Sequence, residues 1–422
     1  MGWEGIVAIV ALVLALAALV VGLVTYRALA ARRSRTTPIE EFSSAGATDE
    51  EVGPPAVVFN PSKGADADSV RRIVAETASD VGLPEPLWFE TTVEDPGLGQ
   101  TREALARGAS VVVAAGGDGT VRAVAEGLAG TRVPMGLLPL GTGNLLARNL
   151  ELPLGNQREL VATALTGRNR TMDLGWLRTE PLGPDEAARV EGRADASTAR
   201  SADRDDTAEA AEGTVNDPAI PADPEQAARE IVPPDAGALP DDDPEKEHVF
   251  LVIGGLGFDA AMVAGADDQL KAKLGWMAYF VAGVQHLTGR KIHATVEYGD
   301  SGRREEVTAR TILFANVGRL PGGVVLFPDA QLDDGWLDIA AIDTRGGIIG
   351  WVDLLRKVTL QGLGVRKDPV PLNTGSIEFR RSHEVVVRTE EPEHVQVDGD
   401  LVGFARTIYA RVEKGGLIVR TA

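Results

Sequence analysis

Residues 116–120 read Gly-Gly-Asp-Gly-Thr. Before them runs the small apolar segment Val111 to Ala115, and after them Val121, Val124, Ala125 and Leu128 recur at helical spacing. A glycine turn that opens a helix aims free backbone N–H groups and the positive helix end at one point, which is a seat for phosphate. Asp118, in the middle of that turn, repels phosphate; its chemistry is to hold a metal or to accept a proton from an attacking hydroxyl. The combination points to phosphoryl transfer. Two further polar turns follow short apolar runs in the same way: Asn60-Pro61-Ser62-Lys63-Gly64 and Gly141-Thr142-Gly143-Asn144.

The elements that must carry these turns alternate. Strands are expected at 56–59, 86–91, 111–115 and 135–140. Between them helices are expected: one with Val70, Ile73, Val74 and Val81 on one face, one from Thr101 to Arg107, and one after the glycine turn. Another begins at Leu145-Leu146-Ala147-Arg148, opened by the third turn. Strands alternating with helices make a parallel, doubly wound α/β sheet, whose ligands lie beyond the carboxyl ends of the strands. All three polar turns fall at such ends and can share one site. From residue 171 onward short β-type runs dominate, at 171–178, 248–253, 293–298, 307–315, 336–342, 384–388 and 406–419. Glycine and proline punctuate them, which predicts an antiparallel β-sandwich or open barrel. One helical stretch, Ala266 to Leu287, lies among them.

Composition bounds the chemistry. The 422 residues are 44% apolar, enough for a real core. There is no cysteine, which excludes disulfides and thiolate metal sites, and five scattered histidines do not make a histidine metal centre. A net charge of −20 argues against nucleic acid as a partner. That charge is concentrated in residues 180–247, where 20 acidic and 6 basic residues give −14. This segment has almost no large apolar residue and is expected to be a disordered acidic insertion. At the N-terminus, Gly5 to Thr25 has no charged side chain, and Trp3 and Tyr26 flank it. About 21 residues at 1.5 Å each span ~30 Å, one hydrocarbon core. Arg27, Arg32, Arg33 and Arg35 follow it, so the positive-inside rule places the rest of the chain in the cytoplasm. A cleaved signal peptide fits poorly, because the first residues carry no positive side chain and the apolar run is too long. The expected organisation is a transmembrane anchor over 1–26, a flexible tether over 27–54, an α/β nucleotide-binding domain over 55–170 and a β-rich second domain over 171–420. The expected localisation is single-pass membrane, with the catalytic domain cytoplasmic.

Read in order, the motifs resemble the diacylglycerol kinase catalytic family of lipid kinases. They are the 60–64 and 116–120 turns, Leu138 to Asn144, Gly257-Phe258-Asp259-Ala260, Asn316 to Gly323, Pro328-Asp329-Ala330, Asp333 to Asp338, and Asp398-Gly399-Asp400. The resemblance covers about residues 55–178 and 247–420. It implies ATP-dependent transfer of the γ-phosphate to a lipid hydroxyl, with Mg²⁺ on the phosphates, in a cleft between an α/β domain and a β-sandwich. Asn60, Pro61, Ser62, Lys63 and Gly64, with Gly116, Gly117, Gly119 and Thr120, would surround the nucleotide phosphates. Thr142, Arg122 and either Thr91 or Thr92 lie where relatives contact nucleotide. Asp118 is the first candidate carboxylate. Asp400 is the second, at the place where relatives carry a glutamate taken as the proton acceptor; aspartate is one methylene shorter, and a misplacement of about 1 Å can cost ~100-fold in rate. A structural Mg²⁺ would map to Asp334 with the carbonyls of Gln331 and Trp336, against the plain alternative of an Asp-Gly turn. Leu145-Leu146 departs from the Asp and aromatic of many relatives. The expected partners are ATP and a membrane lipid, diacylglycerol-like by family default; a homodimer is left open. Two other readings stand beside the lipid kinase: an NAD kinase-like enzyme, and a catalytically weak lipid- or nucleotide-binding sensor.

Overall fold

The computed structural model describes residues 53–63, 66–190, 247–257, 291–319, 325–344 and 375–422. The first half alternates as its periodicity predicts. Strand β1 (Pro55–Phe59) leads through a 3-10 turn to helix α1 (Ala67–Asp80), then β2 (Leu87–Glu90), α2 (Leu98–Ala106), β3 (Val111–Gly116) and α3 (Asp118–Leu128). β4 (Met135–Pro139), α4 (Leu145–Asn149) and α5 (Gln157–Thr166) follow. The strands lie in the order β2-β1-β3-β4 and all pair in parallel. β1 and β3 are buried along their whole length, as strands covered on both faces must be, which is why each is an unbroken apolar run. The chain moves outward from β1 to β2 and returns to place β3 on the other side of β1. That reversal opens a crevice beyond the carboxyl ends of β1 and β3.

The second half is antiparallel. β5 (Arg168–Thr179), β6 (His248–Phe250), β7 (Ile253–Leu256), β8 (Ile292–Tyr298), β9 (Arg303–Ala309) and β10 (Thr311–Ala315) precede β11 (Leu337–Thr344) and β12 (Gly375–Ser382). β13 (Glu384–Val397) and β14 (Asp400–Thr421) close the fold. β12, β11, β10, β7, β13 and β14 are neighbours in that order, with β5 on β14 and the β8–β9 hairpin on β13. β13 bends at a bulge between Arg388 and Glu393. Its first half pairs with β8 and its second half with β7, so one strand serves both layers of the sandwich. β14 runs antiparallel along β5 and near its end meets β4 through a single parallel pair, Val419 with Met135.

Two apolar cores result. One extends from Val57, Val113 and Leu128 of the α/β layer into Met172, Leu251, Phe327 and Leu417 of the β-rich half. The other lies inside the sandwich, around Phe250, Phe314, Val387 and Ile408.

Some expectations change. Among the described residues no helix is long and apolar enough to cross a membrane. That overturns the expected localisation, a single-pass membrane protein with a cytoplasmic catalytic domain; residues 5–25, where the span was expected, lie outside the described residues. The helix expected over 266–287 lies outside them too, as does most of 180–247. Residues 184–190 are helical, with Val190 buried and Glu186 paired to Arg406 at 2.7 Å. The run 307–315 divides between β9 and β10 at Arg310.

Candidate active site

Asn60 follows β1 and organises the first turn. Its Oδ1 accepts from the Ser62 N–H at 3.0 Å and the Ser62 hydroxyl at 2.7 Å, which winds Pro61–Lys63 into one turn of 3-10 helix. Its Nδ2 donates to Thr120 Oγ1 at 3.2 Å, tying the first turn to the second. Thr120 is buried, and a Cβ on Gly116 would stand only 2.6 Å from its Cβ, so Gly116 has to be glycine. Gly64 lies outside the described residues.

Between the second and third turns the backbones nearly touch. A Cβ on Gly141 would lie 2.9 Å from Gly117 Cα, and one on Gly117 would lie 3.1 Å from Lys63 Cε. The result is a cradle of bare backbone at the N-terminus of an 11-residue helix, with the lysine stem beside it. This donor set fits a phosphate chain: amides without intrahelical partners, a helix dipole and one ammonium.

Asp118 closes the arrangement. Its Oδ2 accepts from the Asn144 N–H at 3.1 Å and its Oδ1 from the Leu145 N–H at 2.7 Å. It therefore caps α4 from another element. Asn144 turns the chain there in the left-handed region, at φ 49°, and its Nδ2 donates to Gly141 O at 2.8 Å. Gly143 is small because a Cβ would press within 2.5 Å of Asp118 Oδ2. Burial pushes the Asp118 carboxyl above its ordinary value; the two amides oppose the shift, the Asp400 charge adds to it and Lys63 offsets part of it. Each oxygen keeps a lone pair for a metal-bound water or an acceptor hydroxyl.

Asp400 arrives from the other lobe, as the first residue of β14. Its Oδ2 lies 3.6 Å from where a Cβ on Gly119 would be, which brings it to the same turn as Asp118. Arg122, one turn into α3, donates to Asp400 Oδ2 at 2.7 Å and to Val397 O at 2.6 Å. The hairpin turn rests on Asp398, whose role was not read from the sequence. It is buried, left-handed at φ 49°, and its carboxylate accepts the N–H groups of Leu251, Val252 and Ile253 at 2.8 to 2.9 Å. Burial pushes its pKa up, against Arg122 and these three amides.

The remaining candidates fall in different surroundings. Thr91 is buried and its N–H donates to Phe59 O at 2.9 Å, continuing the β1–β2 pairing. Thr142 is exposed on the third turn. Gln331, Asp334 and Trp336 lie together in the loop before β11, far along the chain from the glycine turns. Asp334 Oδ1 accepts the Trp336 N–H at 3.0 Å, and Oδ2 is paired with Arg381. Arg381 also reaches Asp338 at 3.1 Å. The carboxylate that would hold a cation thus already has one in the guanidinium. No group of three or more His, Asp or Glu side chains that could hold a metal occurs among the described residues; the site expected here would use one carboxylate and two backbone carbonyls.

Two family models match the chain: the diacylglycerol kinase catalytic domain over residues 54–177, and the YegS C-terminal NAD kinase beta sandwich-like domain over 253–417. A probable lipid kinase YegS-like of Pseudomonas putida is 26% identical over 298 residues, 66% of this chain and 76% of the relative. A diacylglycerol kinase of Bacillus subtilis is 22% identical over 317 residues, 74% and 78% of the two chains. One from Mycobacterium tuberculosis is 39% identical over 77 residues, 18% of this chain and 25% of that one. Among solved structures, a putative diacylglycerol kinase from Bacillus anthracis shares the fold, with a TM-score of 0.60 at 16% identity over 90% of this chain and 99% of that one.

Proposed function

The chain belongs to the diacylglycerol kinase catalytic-domain family, and on that footing we propose that it is an ATP-dependent lipid kinase whose acceptor is the free hydroxyl of a diacylglycerol-like lipid. One observation carries the reading: two carboxylates from different lobes, Asp118 and Asp400, stand beside three polar turns at the strand-order reversal. Bound ATP with Mg²⁺ supplies the activated γ-phosphoryl group and neutralises the charge on it.

The protein's share is positioning. Asn60 and Asp118 lock the three turns together, so their amides are already aimed when phosphate arrives and need no reorganisation. Lys63 adds a positive charge beside Gly117. Asp400, exposed enough to meet an incoming lipid hydroxyl, accepts its proton. Asp118 holds the turn that faces the phosphates and presents its remaining lone pairs to the same space.

The test is transfer of labelled phosphate from ATP to a panel of membrane lipids, with mass spectrometry of the products. The wild type is expected to label a lipid alcohol, and Asp118→Asn to lose about 100-fold or more. Full turnover in that variant would overturn the reading. Labelling of NAD⁺ with no lipid product would replace it with the NAD kinase alternative.

A further inference from the structure

Arg122 reaches away from the glycine cradle, across the seam between the lobes. Two of its guanidinium nitrogens are engaged, one on the Val397 carbonyl and one on Asp400 Oδ2, and its side chain is only 20% exposed. Asp400 is the opposite case. It is 59% exposed, and it follows two consecutive residues in the left-handed region, Asp398 at φ 49° and Gly399 at φ 93°. A short carboxylate on such a turn, with nothing to hold it, would sample several rotamers. The ion pair removes that freedom and sets Oδ2 against Gly119, leaving Oδ1 outside the pair.

We infer that Arg122 is a positioning residue that fixes Asp400 as the proton acceptor, a charged tether in place of the reach that a glutamate would have. The inference rests on the kinase reading above. It differs from a nucleotide-binding role for Arg122, because a guanidinium held on the β13–β14 turn acts on the acceptor side of the transfer. It also differs from a mere strut between the lobes. An ion pair whose carboxylate is 59% exposed contributes modestly to stability, whereas a general base displaced by about 1 Å costs ~100-fold in rate.

The experiment compares Arg122→Gln and Arg122→Lys with the wild type, each alone and combined with Asp400→Asn. In Arg122→Gln, kcat is expected to fall about 100-fold with the KM for ATP unchanged within about twofold. The lysine variant, which keeps the charge, should recover part of the loss and covers the case in which the glutamine variant fails to fold. With Asp400→Asn present, Arg122→Gln should add almost nothing, because the two residues act as one unit. A raised KM for ATP with kcat kept would assign Arg122 to the nucleotide. Multiplicative losses in the double variant would deny the tether. A second measurement needs no turnover: hydrogen exchange over residues 396–401 should speed up in Arg122→Gln while that of α3 stays unchanged, and unaltered exchange there overturns the inference. A wild type that labels no lipid counts against the kinase reading alone, and the exchange comparison still decides the tether.

Discussion

Asp118 carries a charge in a place that opposes it; the amides of Leu145 and Asn144 give the larger relief and the Lys63 ammonium a smaller one. Burial and the neighbouring Asp400 both raise its pKa, while Lys63 lowers it. Removing the ammonium therefore favours the protonated carboxyl. In Lys63→Met the acid limb of the rate profile should move to higher pH than in the wild type, as read from kcat against pH; an unmoved limb would mean that Lys63 does not sense Asp118. The glycines and Asp118 were readable in the sequence because a glycine turn after an apolar run is a local pattern. The partners of Asp118 were not. Leu145 and Leu146 read as a departure from an acidic helix start, yet both are buried and Leu145 contributes through its backbone N–H, which leaves no trace in residue type. Asp398 escaped for a similar reason, since the three amides it holds lie about 145 positions away.

Strand pairing decides what the acidic loop before β11 can do. Asp338 and Arg381 face each other across β11 and β12, and Arg381 extends to Asp334. Burial raises the Asp338 pKa from 3.8 to about 6, against the attraction of Arg381. Between those values the folded chain keeps a proton that the unfolded chain has released. This group's contribution to stability is thus largest near pH 4 and declines as pH rises through about 6. Melting temperatures of the wild type and Asp338→Asn across that range should differ in slope, the variant lacking the decline; parallel curves would refute the shift. β12 itself had no signal, because its two apolar residues, Ile377 and Phe379, make too short a pattern in an edge strand. α5 did carry one that went unread. Asn156 and Glu159 form a reciprocal cap, the Asn156 side chain accepting the Glu159 N–H and donating to its carboxylate.

Across the molecule, β14 joins the two cores: Ala405, Ile408 and Ala410 pack inside the sandwich, Leu417 and Val419 in the core shared with the α/β layer. The lobes should therefore melt together. Leu417→Ala, at a fully buried position, should cost roughly 2–5 kcal/mol and shift one calorimetric transition as a whole; a second transition left in place would show that the lobes unfold independently. The α/β alternation and the antiparallel second half were readable from periodicity, whereas the sharing of β13 and β14 depends on pairings between distant segments. The distance has a biological corollary. Arg122 and Asp400 are 278 positions apart, so a chain still emerging from the ribosome holds the three turns long before it owns the carboxylate proposed as proton acceptor. Because β14 also fills both cores, a C-terminally clipped copy should lose its fold together with that carboxylate.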